Sequence, residues 1–185
     1  MKRVLFLMLV SLVMIAGRAQ DIQFMFGEQS KVFFETTAVE DNSTTFAYME
    51  AAYEGGAMLK LFREQKFWEL PLYIHAEYQT TFAEHTAIIG AAYTINHNRG
   101  YLSLAPLFRY DNKAAAQLSN SYLLVWKWGD FNGYNHLWYN GNYNFVGEER
   151  LNINVTDKIA VSGIIDITHF GGWAVTPYCG IRYRL

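Results

Sequence analysis

Trp173-Ala-Val-Thr-Pro-Tyr-Cys-Gly-Ile-Arg-Tyr-Arg-Leu185 alternates between two chemistries up to its last residue. Trp173, Val175, Pro177, Cys179, Ile181, Tyr183 and Leu185 share one face. Ala174, Thr176, Tyr178, Gly180, Arg182 and Arg184 share the other. Successive side chains of a strand point to opposite sides, so this is one strand with an apolar face and a small, basic face.

At the other end, Met1-Lys-Arg-Val-Leu-Phe-Leu-Met-Leu-Val-Ser-Leu-Val-Met-Ile-Ala16 has a basic start and an apolar run. Gly17-Arg-Ala19 supplies small residues at the −3 and −1 positions of a signal-peptidase site. Residues 1–19 are therefore expected to be a cleaved signal peptide and 20–185 the mature domain. The apolar run is shorter than the ~20 residues of a membrane-spanning helix. Cleavage takes Lys2, Arg3 and Arg18 from fifteen basic side chains, leaving twelve against seventeen acidic ones. A mildly acidic chain gives no electrostatic case for a nucleic-acid polymer as partner. The single cysteine, Cys179, excludes an internal disulfide and a Cys-based zinc site.

Period-2 patterns recur along the mature chain. Phe46, Tyr48 and Glu50 oppose Ala47, Met49 and Ala51; Tyr73, His75 and Glu77 oppose Leu72, Ile74, Ala76 and Tyr78. Tyr101, Ser103 and Arg109 oppose Leu102, Leu104, Phe108 and Tyr110; Arg150 and Asn152 oppose Leu151 and Ile153. Turn signals separate the runs, among them Glu54-Gly-Gly56, Gly129-Asp-Phe-Asn-Gly133, Asn140-Gly-Asn142 and Phe170-Gly-Gly172. The segment from Ser121 to Tyr139 reads in either phase. Asn112-Lys-Ala-Ala-Ala-Gln-Leu118 reads as one helical turn in a loop, and Leu118-Ser-Asn-Ser121 as a loop entering a strand. This gives about twelve strands of roughly ten residues, the length a tilted strand needs to cross a bilayer. Ten strands is the alternative, if Ile22–Phe26 or the ambiguous middle pairs differently. An even number places both ends on the periplasmic side.

A secreted sandwich also alternates, but its polar face should carry Lys, Glu and Thr. Here that face mixes Gly, Ala, Tyr and isolated charges, while Tyr53, Tyr78, Tyr93, Tyr110, Trp173 and Tyr183 sit near strand ends on the apolar face. Rings at those levels form an aromatic girdle at the headgroups. The fold expected is an all-β, antiparallel, up-and-down transmembrane barrel of the Gram-negative outer membrane. Its partners would be outer-membrane lipid and the barrel assembly machinery.

The inner face would then carry Glu35, Glu50, Lys60, Glu77, Arg109, Arg150, Asp166, Arg182 and Arg184, with Tyr48, Tyr73, His75, Tyr101 and Tyr178. Charges of both signs in a small barrel pair, since an unpaired buried ion is costly. One reading is a salt-bridged interior with no path through it, in a barrel with a structural or interaction role. The other is a narrow channel in which Tyr48, Tyr73 and Tyr101 stack on a small polar solute while Glu50, Glu77 and Arg109 set polarity. His75, Tyr178 and Arg182 complete the candidate set, and Arg182 and Arg184 are expected to meet acidic partners such as Glu35. No metal or cofactor is expected, because His75, His85, His97, His136 and His169 lack ligand spacing. No catalytic set is evident, and an outer-membrane enzyme is the weakest reading.

Several stretches together resemble a family of small Bacteroidota outer-membrane barrels related to the nucleoside channel Tsx. They are Phe33-Phe-Glu-Thr-Thr37, Phe46-Ala-Tyr-Met-Glu50, Lys66-Phe-Trp-Glu-Leu-Pro-Leu-Tyr-Ile-His-Ala-Glu-Tyr78, Phe131-Asn-Gly-Tyr-Asn-His-Leu-Trp138 and Val175-Thr-Pro177. The resemblance implies twelve strands and a channel for nucleoside-like solutes. This chain departs from it in its shorter loops and in ending on Leu185 rather than Phe or Trp.

Overall fold

Each alternating run becomes a strand, and the runs pair in chain order. The computed structural model describes residues 21–27, 30–40, 43–52, 57–67, 70–81 and 84–185. The expected signal peptide, Tyr53 and the Glu54-Gly-Gly56 turn lie outside the described residues. The strands are β1 (Asp21–Gly27), β2 (Lys31–Glu40), β3 (Ser43–Ala52), β4 (Ala57–Lys66), β5 (Leu72–Thr81) and β6 (His85–His97). They continue as β7 (Gly100–Tyr110), β8 (Ala114–Trp126), β9 (Gly129–Tyr139), β10 (Tyr143–Asn154), β11 (Ile159–Phe170) and β12 (Trp173–Arg184). Every sequential pair is antiparallel, and β1 pairs with β12, so the twelve strands close into a barrel. Ile22–Phe26 lies within β1, which settles the strand count at twelve rather than ten. Closure removes the unpaired edge that an open sheet would present.

The seam explains one glycine. Gly180 stands opposite Met25, and a Cβ there would lie 1.9 Å from the Phe24 carbonyl oxygen and 2.6 Å from the Met25 sulfur. Without a side chain at 180, Met25 packs fully buried against Phe33, Tyr48, Ile164 and Tyr178. β12 therefore binds β11 on one edge and β1 on the other.

Two local expectations are corrected. The stretch 112–118 is not a helical turn: β8 runs from Ala114 to Trp126, and Leu118–Ser121 lies well inside it rather than in a loop. Its alanines have high helix propensity, but Ala115, Gln117 and Ser119 point inward and Ala116 and Leu118 outward, as strand pairing with β7 demands. Gly129-Asp-Phe-Asn-Gly133 is not a turn either. It opens β9, and the chain reverses at Lys127-Trp128 instead. Gly129 and Gly133 serve close packing against neighbouring strands, because a Cβ at Gly129 would lie 2.0 Å from the Asn152 carbonyl oxygen.

The two faces separate cleanly. Phe24, Ile74, Ile89, Leu104, Phe108, Leu151, Ile153, Val161 and Ile181 are exposed on the outside. A surface of this kind suits lipid rather than water. Tyr78, Tyr93, Tyr110, Trp173 and Tyr183 of the expected girdle also face outward, with Trp173 70% exposed. The residues buried inside the wall include Gln23, Lys60, His75, Glu77, Asp130, Glu148, Arg150, Asn152 and Arg182. Asp21 and Arg184 lie opposite each other at one end, called here the terminal rim; the other end is the distal rim.

Candidate functional site

The site is the lumen, and its two ends differ. Toward the terminal rim it holds a cavity of about 640 Å³. Toward the distal rim, Thr86, Ala115, Gln117, Trp138 and Asn144 are buried and side chains fill the interior.

The distal filling is made of charges and rings. Lys31, at the start of β2, reaches Glu50 at 2.9 Å and Asp166 at 3.3 Å, and its ammonium sits 4.8 Å from the centre of the Tyr178 ring. Tyr48 donates its hydroxyl hydrogen to Glu50 at 3.0 Å. Arg109 bonds Asp111 at 2.9 Å and lies 4.3 Å over the Trp138 ring. These cations are each held by a carboxylate and cover an aromatic face, two arrangements that offset removal from water.

Arg150 and Lys60 reach across the lumen. Arg150 on β10 binds both oxygens of Glu35 on β2 at 2.9 Å, and also Glu148 at 2.7 Å. Lys60 on β4 reaches Glu77 at 3.2 Å and His136 on β9 at 3.4 Å, above the Tyr134 ring. An ammonium has no lone pair, so Nε2 of His136 accepts its hydrogen. On the other side of the ring, Nδ1 lies 2.7 Å from Ser119 Oγ and 3.1 Å from Gln117 Nε2, so both ring nitrogens are held by neighbouring side chains.

The cavity below these contacts has two kinds of wall. Phe46, Phe62 and His75, on β3, β4 and β5, form a stack with centroid separations of 4.9 and 5.5 Å and interplanar angles of 25° and 24°. His75 is held between Glu64 at 3.0 Å and Glu77 at 3.1 Å, which fixes the ring at the end of the stack. Opposite, Arg182 bonds Asp130 at 2.5 Å, and Asp130 accepts further hydrogen bonds from Asn132 at 2.9 Å and Asn152 at 2.7 Å. Among the described residues the lining carries six carboxylates, from Asp21, Glu35, Glu64, Glu77, Asp130 and Glu148, and four fixed cations, from Lys60, Arg150, Arg182 and Arg184.

Of the candidates named from sequence, Tyr48, Tyr73, His75, Glu77, Tyr101 and Arg182 line this cavity. Glu50, Arg109 and Tyr178 belong to the distal filling instead. Glu35 is corrected as the partner of the last strand's arginines: it is held by Arg150, while Arg182 and Arg184 converge on Asp130. Phe46, Phe62, Glu64, Tyr134 and His136 line the cavity and were not singled out. Phe62 and Glu64 were legible, since they alternate onto the face of Lys60; His136 fell in the segment whose phase was open. Among the described residues, no group of three or more His, Cys, Asp or Glu side chains could hold a metal.

No known sequence family matches the chain, and no curated protein does. Solved structures do match. The KdgM porin aligns over 90% of this chain and 99% of its own, at a TM-score of 0.63 and 10% identity. The same porin in complex with disordered oligogalacturonate gives 0.62 over the same shares, also at 10% identity. The NanC porin gives 0.62 at 7% identity, over 90% of this chain and all of its own. At such identities the likeness concerns architecture: the fold is that of the small, porin-like outer-membrane barrels.

Proposed function

We propose that this chain spans the bacterial outer membrane as a narrow channel for a small polar solute with a planar ring, neutral or cationic, of which a nucleoside is one example. The observation that carries the reading is the cavity itself: a stacked Phe46–Phe62–His75 wall within a lining whose described residues carry more carboxylates than fixed cations. Offset-stacked rings offer a planar solute a matching surface, and the carboxylates accept its N–H and O–H groups. With both chain ends on the periplasmic side, the cavity is a vestibule opening toward the periplasm. The distal filling is then the narrowest section, where Lys31 and Arg109 must move for passage.

The KdgM porin was solved with oligogalacturonate, an acidic oligosaccharide. The carboxylate excess here would repel such a polyanion, so fold likeness alone does not carry that solute across. Twelve-strand architecture and aromatic lining also agree with the Tsx-like resemblance. Planar-bilayer recording of the refolded chain tests the proposal. The expected result is a small, cation-selective conductance that a nucleoside blocks and a galacturonate oligomer does not. A barrel that neither conducts nor binds either solute would be a closed structural barrel, and the proposal would fall.

A further inference from the structure

Glu148 and Glu149 are consecutive residues on opposite sides of the wall. Glu148 faces the lumen and pairs with Arg150. Glu149 faces outward, midway along β10, among Leu137, Leu151 and Ile153, which are exposed on that surface. It has no cation. Tyr122 of β8 donates its hydroxyl hydrogen to Glu149 Oε2, and Asn135 of β9 donates from Nδ2 to Oε1 at 3.3 Å. Beside them Asn120 alternates outward between the inward Ser119 and Ser121, in register with Asn135. Among the described residues its carboxamide has no hydrogen-bond partner.

This group lies in a recess. Tyr122 and Glu149 fold over Gly133, where a Cβ would lie 2.7 and 2.5 Å from their oxygens; Asn135 folds over Gly147, with its Oδ1 2.3 Å from a Cβ position. The contrast with Arg63 is instructive. It is the other charged side chain on the outer face among strand residues whose side chains are described, and it bonds Ser43 and Gln65 at 3.4 Å toward the terminal rim. Arg63 thus snorkels to the interface, whereas the Glu149 group stays at mid-depth. Hydrocarbon offers such groups no hydrogen bond, and polar side chains held there mark contacts or pathways.

We propose that this patch is the interface of a two-fold homodimer within the membrane. Copies of one barrel share an orientation in the bilayer, so a two-fold axis along the membrane normal brings residues of equal depth together. The groups left over are carboxamides, which carry donors and acceptors together: Asn120 with both, and Asn135 with its second N–H and its Oδ1. The patch is therefore its own complement, while Glu149 already holds two donors and does not require a basic partner. The glycine recess lets the two walls approach closely, the role small residues play between membrane segments. This inference rests on the barrel's spanning a membrane, not on what it transports, and its test reads no transport.

The experiment uses the refolded full chain in detergent and in liposomes. Native mass spectrometry is expected to give a dimer for the unaltered protein and a monomer for N120L/E149L, with folding of the variant read from its heat-dependent gel mobility. A cross-linking arm leaves the patch intact. In a Cys179→Ser background, L151C, next to Glu149 on the outer face, should form disulfide dimers roughly tenfold faster than L61C on β4 across the barrel. A monomeric unaltered protein overturns the proposal, with a retained lipid or without one. Equal cross-linking at positions 151 and 61 overturns it as well.

Discussion

The two ends of the lumen use the same residue types to opposite effect. At the distal end each cation is flanked by carboxylates and laid over a ring: Lys31 between Glu50 and Asp166 over Tyr178, and Arg109 beside Asp111 over Trp138. Charge and ring there consume one another and the interior closes. Toward the terminal rim the rings stack on rings, Phe46 on Phe62 and Phe62 on His75, and Arg182 and Arg184 converge on Asp130 in the opposite wall. Space is left between the walls. An interior of mixed charge is thus neither open nor closed by composition; it is filled where cations lie over rings, as at Lys31 and Arg109, and open where rings stack on rings, as at Phe46 and Phe62.

Arg150 carries the largest expected effect, because it ties Glu35 on β2 to Glu148 on β10 from a side chain only 4% exposed. Arg150→Ala strands two carboxylates inside the barrel and should cost about 3–5 kcal/mol in urea unfolding from detergent micelles. Adding Glu35→Gln and Glu148→Gln should return most of that loss; if the triple variant is as unstable as the single one, the ion pairing is not what holds the span. The next effect should come from Lys31→Ala. Losing its charged hydrogen bonds costs about 1.5–3 kcal/mol and leaves Glu50 and Asp166 to repel each other across the distal section. The expected reading is a severalfold larger single-channel conductance. An unchanged conductance would locate the constriction at Lys60 and His136 instead.

Period-2 alternation was enough to assign sides. Tyr48, Tyr73, His75 and Tyr178 are inward because Met49, Leu72, Ile74 and Cys179 are not, and that needs only the local run. Depth was not legible. Whether Tyr178 meets Lys31 or Arg150 depends on the stagger accumulated through successive strand pairs, which no single run encodes. The same limit separated Glu35 from its true partner, four strands away around the closure. Two local misreadings had a different cause. Ala114–Ala116 carry helix propensity and Gly129–Gly133 carry turn residues, yet both segments are fixed by strands on either side. Glu149 could have been found: it is a carboxylate in phase with Leu151 and Ile153, an outward position where an acid needs a reason.

The open end supplies the two smaller effects. Phe62→Ala removes the middle ring of the stack, a contribution of about 0.5–1.5 kcal/mol beyond its buried area. If a planar solute rests on that wall, its half-blocking concentration should rise about tenfold, which corresponds to 1.4 kcal/mol. Conductance to small cations should persist. A reduced conductance with an unchanged half-blocking concentration would separate the ring's role in shaping the vestibule from any role in binding.

Arg182 and Arg184 make the finest comparison, since both answer to Asp130 from the same strand. Arg182 is 2.5 Å from that carboxylate with a side chain 7% exposed; Arg184 is 3.7 Å away and 40% exposed at the rim. Water screens the outer pair, so Arg184→Ala should change stability by about 0–1 kcal/mol. Its remaining hydrogen bond, to Asn154 at 3.2 Å, joins two rim residues and adds little. What Arg184→Ala should alter is selectivity: removing one rim cation from a lining already rich in carboxylates raises cation preference, measurable as a shift in reversal potential under a salt gradient. Arg182→Ala should show the converse weighting, with a clear stability loss because Asp130 then stays buried without its closest cation. If the two substitutions cost the same, burial is not what separates the deeper vestibule from its mouth.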